Sequence, residues 1–294
     1  MIDRLRAEGF AAATLCQVLE VPRSGYYAWR AGATSRRAEA DEALKEQVRA
    51  VFWDHQRRFG SRRIASELAG LGTRCGVARV SRLMRRLGLQ AIQPRSFQPR
   101  TTDSRHRRGY SPNLLLERPF PTAINQVWVG DISYVPLCGG GFLYLAMLLD
   151  LYSRRIVGWA LADHMREALV LGALRRAIAA RQPPPGLVHH SDRGGQYAGE
   201  EYRRVLARAG MRPSMSRAET SSDNAFMESC FGTLKRELEM KCYDHEAIAR
   251  REIGTFVRYY NTRRRHSALG NQTPEAFEAA GLSPQPRGRK GKTS

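Results

Sequence analysis

Three acidic residues stand where acids are costly, or where open sheets present ligands. Asp131 sits inside the apolar, alternating run Trp128-Val129-Gly130-Asp131-Ile132-Ser133-Tyr134. An acid in the middle of a buried strand has to be paired or bind a cation. Asp192 ends a short strand in His189-His190-Ser191-Asp192-Arg193-Gly194-Gly195, and strand C-terminal ends are where open α/β sheets place ligands. Glu228 lies in Asp223-Asn224-Ala225-Phe226-Met227-Glu228-Ser229, which opens a helix expected to run to about Glu239. Singly, each acid has an ordinary reading: a structural hydrogen-bonder, a turn-former before Gly194-Gly195, a surface carboxylate. Brought together without a cation they would repel, and some would stay protonated. Divalent magnesium removes that conflict with hard oxygen ligands and open positions for phosphate. Two Mg2+ ions, with Mn2+ as a substitute, would suit in-line phosphoryl displacement with no protein nucleophile.

The charge balance points to a polyanionic partner. The chain has 294 residues, with 48 Lys and Arg against 28 Asp and Glu, a net charge of +20. Only five of the basic residues are Lys, and Arg is the side chain that forks onto phosphate and stacks on bases. Genomic base composition could account for Arg over Lys but not for the excess itself. Nucleic acid is the expected partner, ahead of an anionic membrane surface. No apolar stretch approaches the ~20 residues of a membrane span, and the first residues carry no signal-peptide pattern. Cys16, Cys75, Cys138, Cys230 and Cys242 form no C-x-x-C pair. No disulfide framework or zinc ribbon is expected, and a reducing cytosol is the default.

The elements that would position the acids follow from pattern. Residues 9–30 read as two short helices around Val21-Pro22-Arg23-Ser24, a possible helix-turn-helix fragment. Residues 41–91 read as three helices, about Asp41–Phe59, one starting at Ser61, and Gly76–Leu89. In the third, Val80, Leu83, Met84 and Leu87 form an apolar stripe, and Arg79, Arg82, Arg85 and Arg86 fill the remainder. That pairing of faces fits a recognition helix in a major groove, or a solvated basic face on an ordinary bundle. Residues 92–121, rich in Pro and Arg, read as a linker laid along DNA backbone. The tail 283–294 reads as basic and disordered. Between them come strands at Gln126–Leu137, Phe142–Leu151 and Arg155–Leu161, a helix at Arg166–Arg181, a strand at Leu187–His190 and a helix at Glu200–Ala209. This order resembles a ribonuclease-H-like fold.

With these residues in view the chain resembles DDE transposases of the insertion-sequence-three family, the product of their second reading frame, from about residue 10 to 280. Asp192 and Glu228 are separated by 35 residues, the spacing this family shares with retroviral integrases. Lys235 lies seven residues after Glu228, two helical turns on the same face, where the family carries Lys or Arg. Tyr259-Tyr260-Asn261 with Arg264, His266, Leu269, Thr273 and Pro274 is similar to the family's C-terminal signature, and residues 42–90 to its helix-turn-helix segment. The front differs from retroviral integrases in lacking a His/Cys zinc module.

The resemblance implies an α/β, ribonuclease-H-like integrase catalytic core, a mixed five-stranded sheet with flanking helices, preceded by an all-α helix-turn-helix region. The expected division is a helical region at 1–40, the DNA-binding domain at 41–91, a linker at 92–121, the core with C-terminal helices at 122–282, and the tail at 283–294. It implies that Asp131, Asp192 and Glu228 are catalytic and bind the metal. Lys235, Arg79, Arg82, Arg86, Arg193, Asn224, Arg264 and His266 are expected to bind DNA. His190 is a candidate for substrate contact or metal support, whereas Asp150 is expected in a turn or Arg pair. The expected activity is Mg2+-dependent cleavage and strand transfer at terminal inverted repeats, by water and then by a DNA 3′-hydroxyl. Expected partners are double-stranded DNA, as element ends and target, a second copy or higher oligomer on DNA, and an upstream-frame protein or frameshift fusion. No membrane is expected, and the location would be the bacterial cytoplasm, at the nucleoid. The rivals are a non-catalytic DNA-binding regulator, which needs the basic helix but not the acids, and a plain nuclease of the same fold, which cleaves but never joins.

Overall fold

A computed structural model describes residues 1–32, 36–92, 110–116, 119–217, 224–240 and 242–281. Most of the expected linker, with Arg100, Arg105, Arg107 and Arg108, lies outside the described residues. So do Asp223 and the whole of the tail. The chain divides into two compact units, Met1–Ala91 and Ile92–Ser294.

The first unit is all helix: α1 (Ile2–Ala7), α2 (Ala12–Val18), α3 (Arg23–Arg30), α4 (Arg36–Asp54), α5 (Ser61–Gly70) and α6 (Val77–Arg86). Ala12, Cys16 and Tyr26 make a small core against Ile2. The Tyr26 hydroxyl donates to Asp3 at 2.6 Å and accepts from Arg6. The main core buries Leu44, Val48, Val51 and Phe52 of α4, Ile64, Ala65 and Leu68 of α5, and Val80, Leu83 and Met84 of α6. The expected stripe on α6 therefore faces inward. One boundary is corrected. The first of these three helices stops at Asp54 rather than Phe59, because Gln56 and Arg57 take left-handed φ of 50° and 62°. That turn stacks the rings of His55 and Phe59 at 3.7 Å and buries Phe59. Ring burial outweighs the cost of two non-glycine residues at positive φ.

The second unit is built on a five-stranded sheet: β1 (Val127–Pro136), β2 (Phe142–Asp150), β3 (Ile156–Ala162), β4 (Val188–Ser191) and β5 (Arg212–Met215), in the order β3-β2-β1-β4-β5. The first three strands pair antiparallel; β4 joins β1, and β5 joins β4, in parallel. The helices are α7 (Glu167–Arg181), α8 (Glu200–Arg208), α9 (Ala225–Glu237), α10 (Glu246–Thr262) and α11 (Pro274–Ala279). This is the mixed five-stranded sheet with flanking helices expected of a ribonuclease-H-like fold. The pattern missed β5, whose four residues include Pro213. A strand at the sheet edge tolerates the missing donor.

Alternation along β1 separates two chemistries. Trp128 and Ile132 face a core completed by Ala146, Leu148, Leu174, Tyr197 and Tyr202. Asp131 points to the opposite face, where α9 lies against β1 and α10 against β3. Among the described residues no helix is long and apolar enough to cross a membrane. The expectation of unbridged cysteines is corrected at one pair. Cys138, just past β1, is bonded to Cys242. The Cys138 amide donates to the Tyr243 carbonyl and the Tyr243 amide to that of Pro136, so residues 104 apart in sequence meet beside one short bridge of backbone. Spacing alone does not show such a long-range pairing.

The joint between β3 and α7 brings backbone against backbone. A Cβ on Gly158 would lie 2.4 Å from the Ala173 carbonyl oxygen and 2.7 Å from the Ala177 Cβ. Gly158→Ala should therefore destabilise the second unit by roughly 1–3 kcal/mol, the usual cost of overpacking a rigid core. Chemical denaturation checks this, and an unchanged midpoint would mean that the strand and helix can separate at little cost.

Candidate active site

Strand register assembles the first half of the site. The β1–β4 pairing sets Val129 beside His190, so two residues further on Asp131 comes alongside Asp192, which directly follows β4. Asp131 is half-buried, and its Oδ1 accepts from the Ile132 amide at 2.8 Å. Asp192 Oδ1 accepts from the Gly194 amide at 3.0 Å, closing the tight turn expected at the strand end. Gly130 is required by close approach: a Cβ there would stand 3.2 Å from the His189 Nε2. His189 in turn is hydrogen-bonded to the Tyr202 hydroxyl at 2.9 Å. Burial lowers its pKa to about 3, so it is neutral beneath the acids.

The third acid arrives on α9. Asn224 caps this helix in space and donates from Nδ2 to the Gly130 carbonyl at 3.2 Å. The residue one turn before Glu228 is thus tied to the residue just before Asp131. Glu228 is exposed in the first helical turn, where the helix dipole favours a negative charge. Lys235, two turns on, falls on the same face.

Electrostatics shows that these groups share one region. The Asp131 carboxyl is pushed well above the usual carboxylate range, first by burial, then by the charge of Asp192, with a further contribution from Glu228. The Ile132 amide and Lys235 oppose the shift. Lys235 is itself lowered by burial, against a raising influence from Asp131. Tyr197 was not singled out by sequence. It is buried beneath the site, its phenol raised by burial and further by Tyr202, Asp131 and Asp192. Among the described residues, no group of three His, Cys, Asp or Glu side chains is already drawn together tightly enough to hold an ion. The donor set nevertheless fits a hard divalent cation: three carboxylates, mutually repulsive, with one forced toward its protonated form.

Other expected site residues have structural duties. His190 is fully buried and clamps β5, with Nδ1 2.8 Å from Ser214 Oγ and Nε2 3.2 Å from Ser216 Oγ. It supports the sheet rather than facing substrate. Arg193 donates from Nε to the Ser216 carbonyl at 2.8 Å and stacks 4.6 Å above the Tyr110 ring. Asp150 is buried in a turn, as expected, accepting from Asn125, Tyr152 and Ser153. The expectation that Arg264 and His266 meet DNA is corrected. Both are buried, and Arg264 is forked onto Glu237. A buried guanidinium is retained only when a carboxylate partners it, and a basic run such as Arg263-Arg264-Arg265 hides which member that is. In the first unit, Arg79 donates to the buried Asp41 at 2.7 Å and Arg86 lies 3.9 Å from it. Arg82 and Arg85 form no ion pair among the described residues.

Asp131 makes stability depend on pH. The folded chain holds this proton to higher pH than the unfolded chain does. Its contribution is therefore fully present below the ordinary Asp value of ~3.9 and is lost as pH rises through the raised folded value. Asp131→Asn removes the penalty. It should raise stability at neutral pH by on the order of 1 kcal/mol, with the gain vanishing toward acid. Thermal melts across pH check this; a destabilised variant at neutral pH would contradict the repulsion.

Known proteins resemble this chain over most of its length. Residues 121–221 match the family model of the integrase core domain, 209–274 match a second integrase core model, and 39–97 match an HTH-like domain. The chain is 42% identical over 265 residues to the 31 kDa protein of insertion element IS600 from Shigella sonnei, covering 90% of this chain and 97% of that one. It is 39% identical to the transposase of IS904 from Lactococcus lactis, covering 81% and 94%. It is 37% identical to transposase InsF of IS3A from Escherichia coli, covering 96% and 98%. Among solved structures, a simian T-cell lymphotropic virus intasome is 15% identical over 78% of this chain and 80% of that one, with a TM-score of 0.47. Relatives this similar over nearly their whole length decide the matter: the chain belongs to the IS3 family of transposases, enzymes of polynucleotidyl transfer with an integrase core.

Proposed function

We propose that this transposase cuts and joins DNA at the terminal inverted repeats of an insertion sequence, with Asp131, Asp192 and Glu228 as the metal-binding catalytic acids. The observation that carries this reading is geometric: strand register brings Asp131 alongside Asp192, and the helix bearing Glu228 is tied through Asn224 to Gly130. Two Mg2+ ions bound there, or Mn2+ in their place, would supply positive charge for the attacking and leaving oxygens of an in-line displacement. The chain's own part is positional. Asp131 and Asp192 are fixed by strand register, and Glu228 is presented by a helix tied down at Asn224. Lys235, on the same helical face, is placed to hold a DNA phosphate close to the acids.

The reaction has two displacements. In the first, water oxygen attacks phosphorus at the element end and the bond to the 3′-oxygen breaks, releasing a 3′-hydroxyl. In the second, that hydroxyl attacks a target phosphodiester. One diester bond forms as another breaks, so no nucleotide cofactor is consumed.

The first unit would read the ends. Arg82 and Arg85, opposite the buried stripe of α6, are the guanidinium groups open to a groove, with Arg79 and Arg86 near its margin through Asp41. Arg193 and Asn224 would border the bound strand at the core. Both ends must be held at once, so a dimer or larger assembly on DNA is expected, with an upstream-frame protein or frameshift fusion as a further partner.

An oligonucleotide carrying an element end, incubated with Mg2+, tests the assignment. Asp192→Asn should abolish both cleavage and joining while leaving end binding intact; joining at the wild-type rate would overturn it. Cleavage without joining by the wild-type chain would instead favour a plain nuclease. Arg82→Ala should weaken end binding by roughly 1–3 kcal/mol, measured at fixed salt; unchanged affinity would remove α6 from the interface.

A further inference from the structure

The pair formed by Arg264 and Glu237 is the least expected feature of the core. Arg264 Nε donates to both Glu237 carboxylate oxygens at 3.0 and 3.1 Å, and Nη2 donates at 2.8 Å. Both residues are only 6% exposed. Arg264 Nη1 also lies 3.3 Å from the His266 ring, and its guanidinium sits 5.4 Å from the centre of the Tyr260 ring. His266 packs edge-on against Tyr260 at 4.7 Å. A buried ion pair is a poor stabiliser, because desolvation offsets most of the attraction. Its value lies elsewhere, in fixing geometry.

That geometry concerns the helix carrying Glu228. At 3.6 residues per turn, Lys235 shares a face with Glu228, whereas Glu237 lies opposite. Cys230 lies on the same rear face as Glu237 and is buried. The rear of α9 is therefore gripped at Glu237 by Arg264, just beyond the end of α10. Asn261 anchors that grip to the sheet. Its side chain accepts from the Ile156 amide and donates to the Ile156 carbonyl, each at 2.9 Å, as a neighbouring strand would. The chain of contacts runs from β3 through Asn261 to Tyr260 and Arg264, and then to α9.

We infer that Arg264 is a positioning residue: through Glu237 it sets the rotation of α9 about its axis, and so decides whether Glu228 can join Asp131 and Asp192 on one cation. A turn of α9 by one residue would swing Glu228 about 100° away. The inference rests on the metal-binding reading of the three acids.

Mn2+ binding measured by electron paramagnetic resonance on the full chain, without DNA, provides the test. Glu237→Leu combined with Arg264→Met replaces the pair by packable apolar side chains. This variant should melt at or above the wild-type temperature, yet bind Mn2+ about tenfold or more weakly, the range seen when support behind a metal ligand is lost. Arg264→Lys keeps the charge but loses the fork, so it should weaken Mn2+ binding in the same direction; it decides the matter if the double variant fails to fold. Wild-type Mn2+ affinity in a folded variant would overturn the positioning role. Asp192→Asn separates the two ideas. If it binds Mn2+ as the wild type does, the metal-binding reading itself fails; if it alone loses the ion, only the positioning role fails.

Discussion

Asp131, half-buried on the sheet, is held close enough to Asp192 and to Glu228 of α9 for their charges to raise its affinity for a proton. Asp131 shows the cost most clearly, since burial and Asp192 together drive its carboxyl toward the protonated form. Nothing in the core requires an acid at this position; Val129 and Val135 on the same face are buried and apolar. The surrounding contacts therefore read as the means of holding an unfavourable arrangement. Gly130 leaves room for His189, Asn224 ties α9 to β1, and the Asp192 turn is closed by the Gly194 amide.

The same constraint explains why the site draws on distant parts of the chain. Two of the acids need only strand register: a parallel pair delivers Asp131 and Asp192 side by side because each lies two residues beyond a paired position. The third needs a helix at a defined height and rotation. On the inference drawn above, Asn224 sets its height and the Arg264–Glu237 pair its rotation. On that inference Asn261 and Arg264 serve as scaffold for α9. A neutral His189 and a high-pKa Tyr197 below the site add no charge of their own, so the balance is left to the acids, Lys235 and whatever cation they bind.

Much of this was legible in residue pattern. An acid inside an otherwise apolar alternating strand has an ordinary structural reading by itself, and the resemblance to the IS3 family is what gives the 35-residue spacing from Asp192 to Glu228 its meaning. The apolar stripe of α6 was equally plain. What escaped was long-range. The Cys138–Cys242 bond and the edge strand with Pro213 depend on which segments meet in space, which local periodicity does not record. Arg264 illustrates the limit best. In sequence it is one of three consecutive arginines beside a histidine, and the natural reading is a phosphate-binding cluster. Only the packing of α9 against α10 shows that it is buried on Glu237, and a guanidinium on a carboxylate has no charge to spare for DNA. Arg79 is likewise paired, with Asp41, but stays partly exposed.

The central claim is that Asp131, Asp192 and Glu228 share divalent ions. Anomalous diffraction from crystals of the full chain grown with Mn2+ would test it most directly. Peaks lying among the three carboxylates, each within ligand distance of at least one, are the expected result. Ordered carboxylates with no peak between them, or manganese bound only elsewhere on the chain, would contradict it.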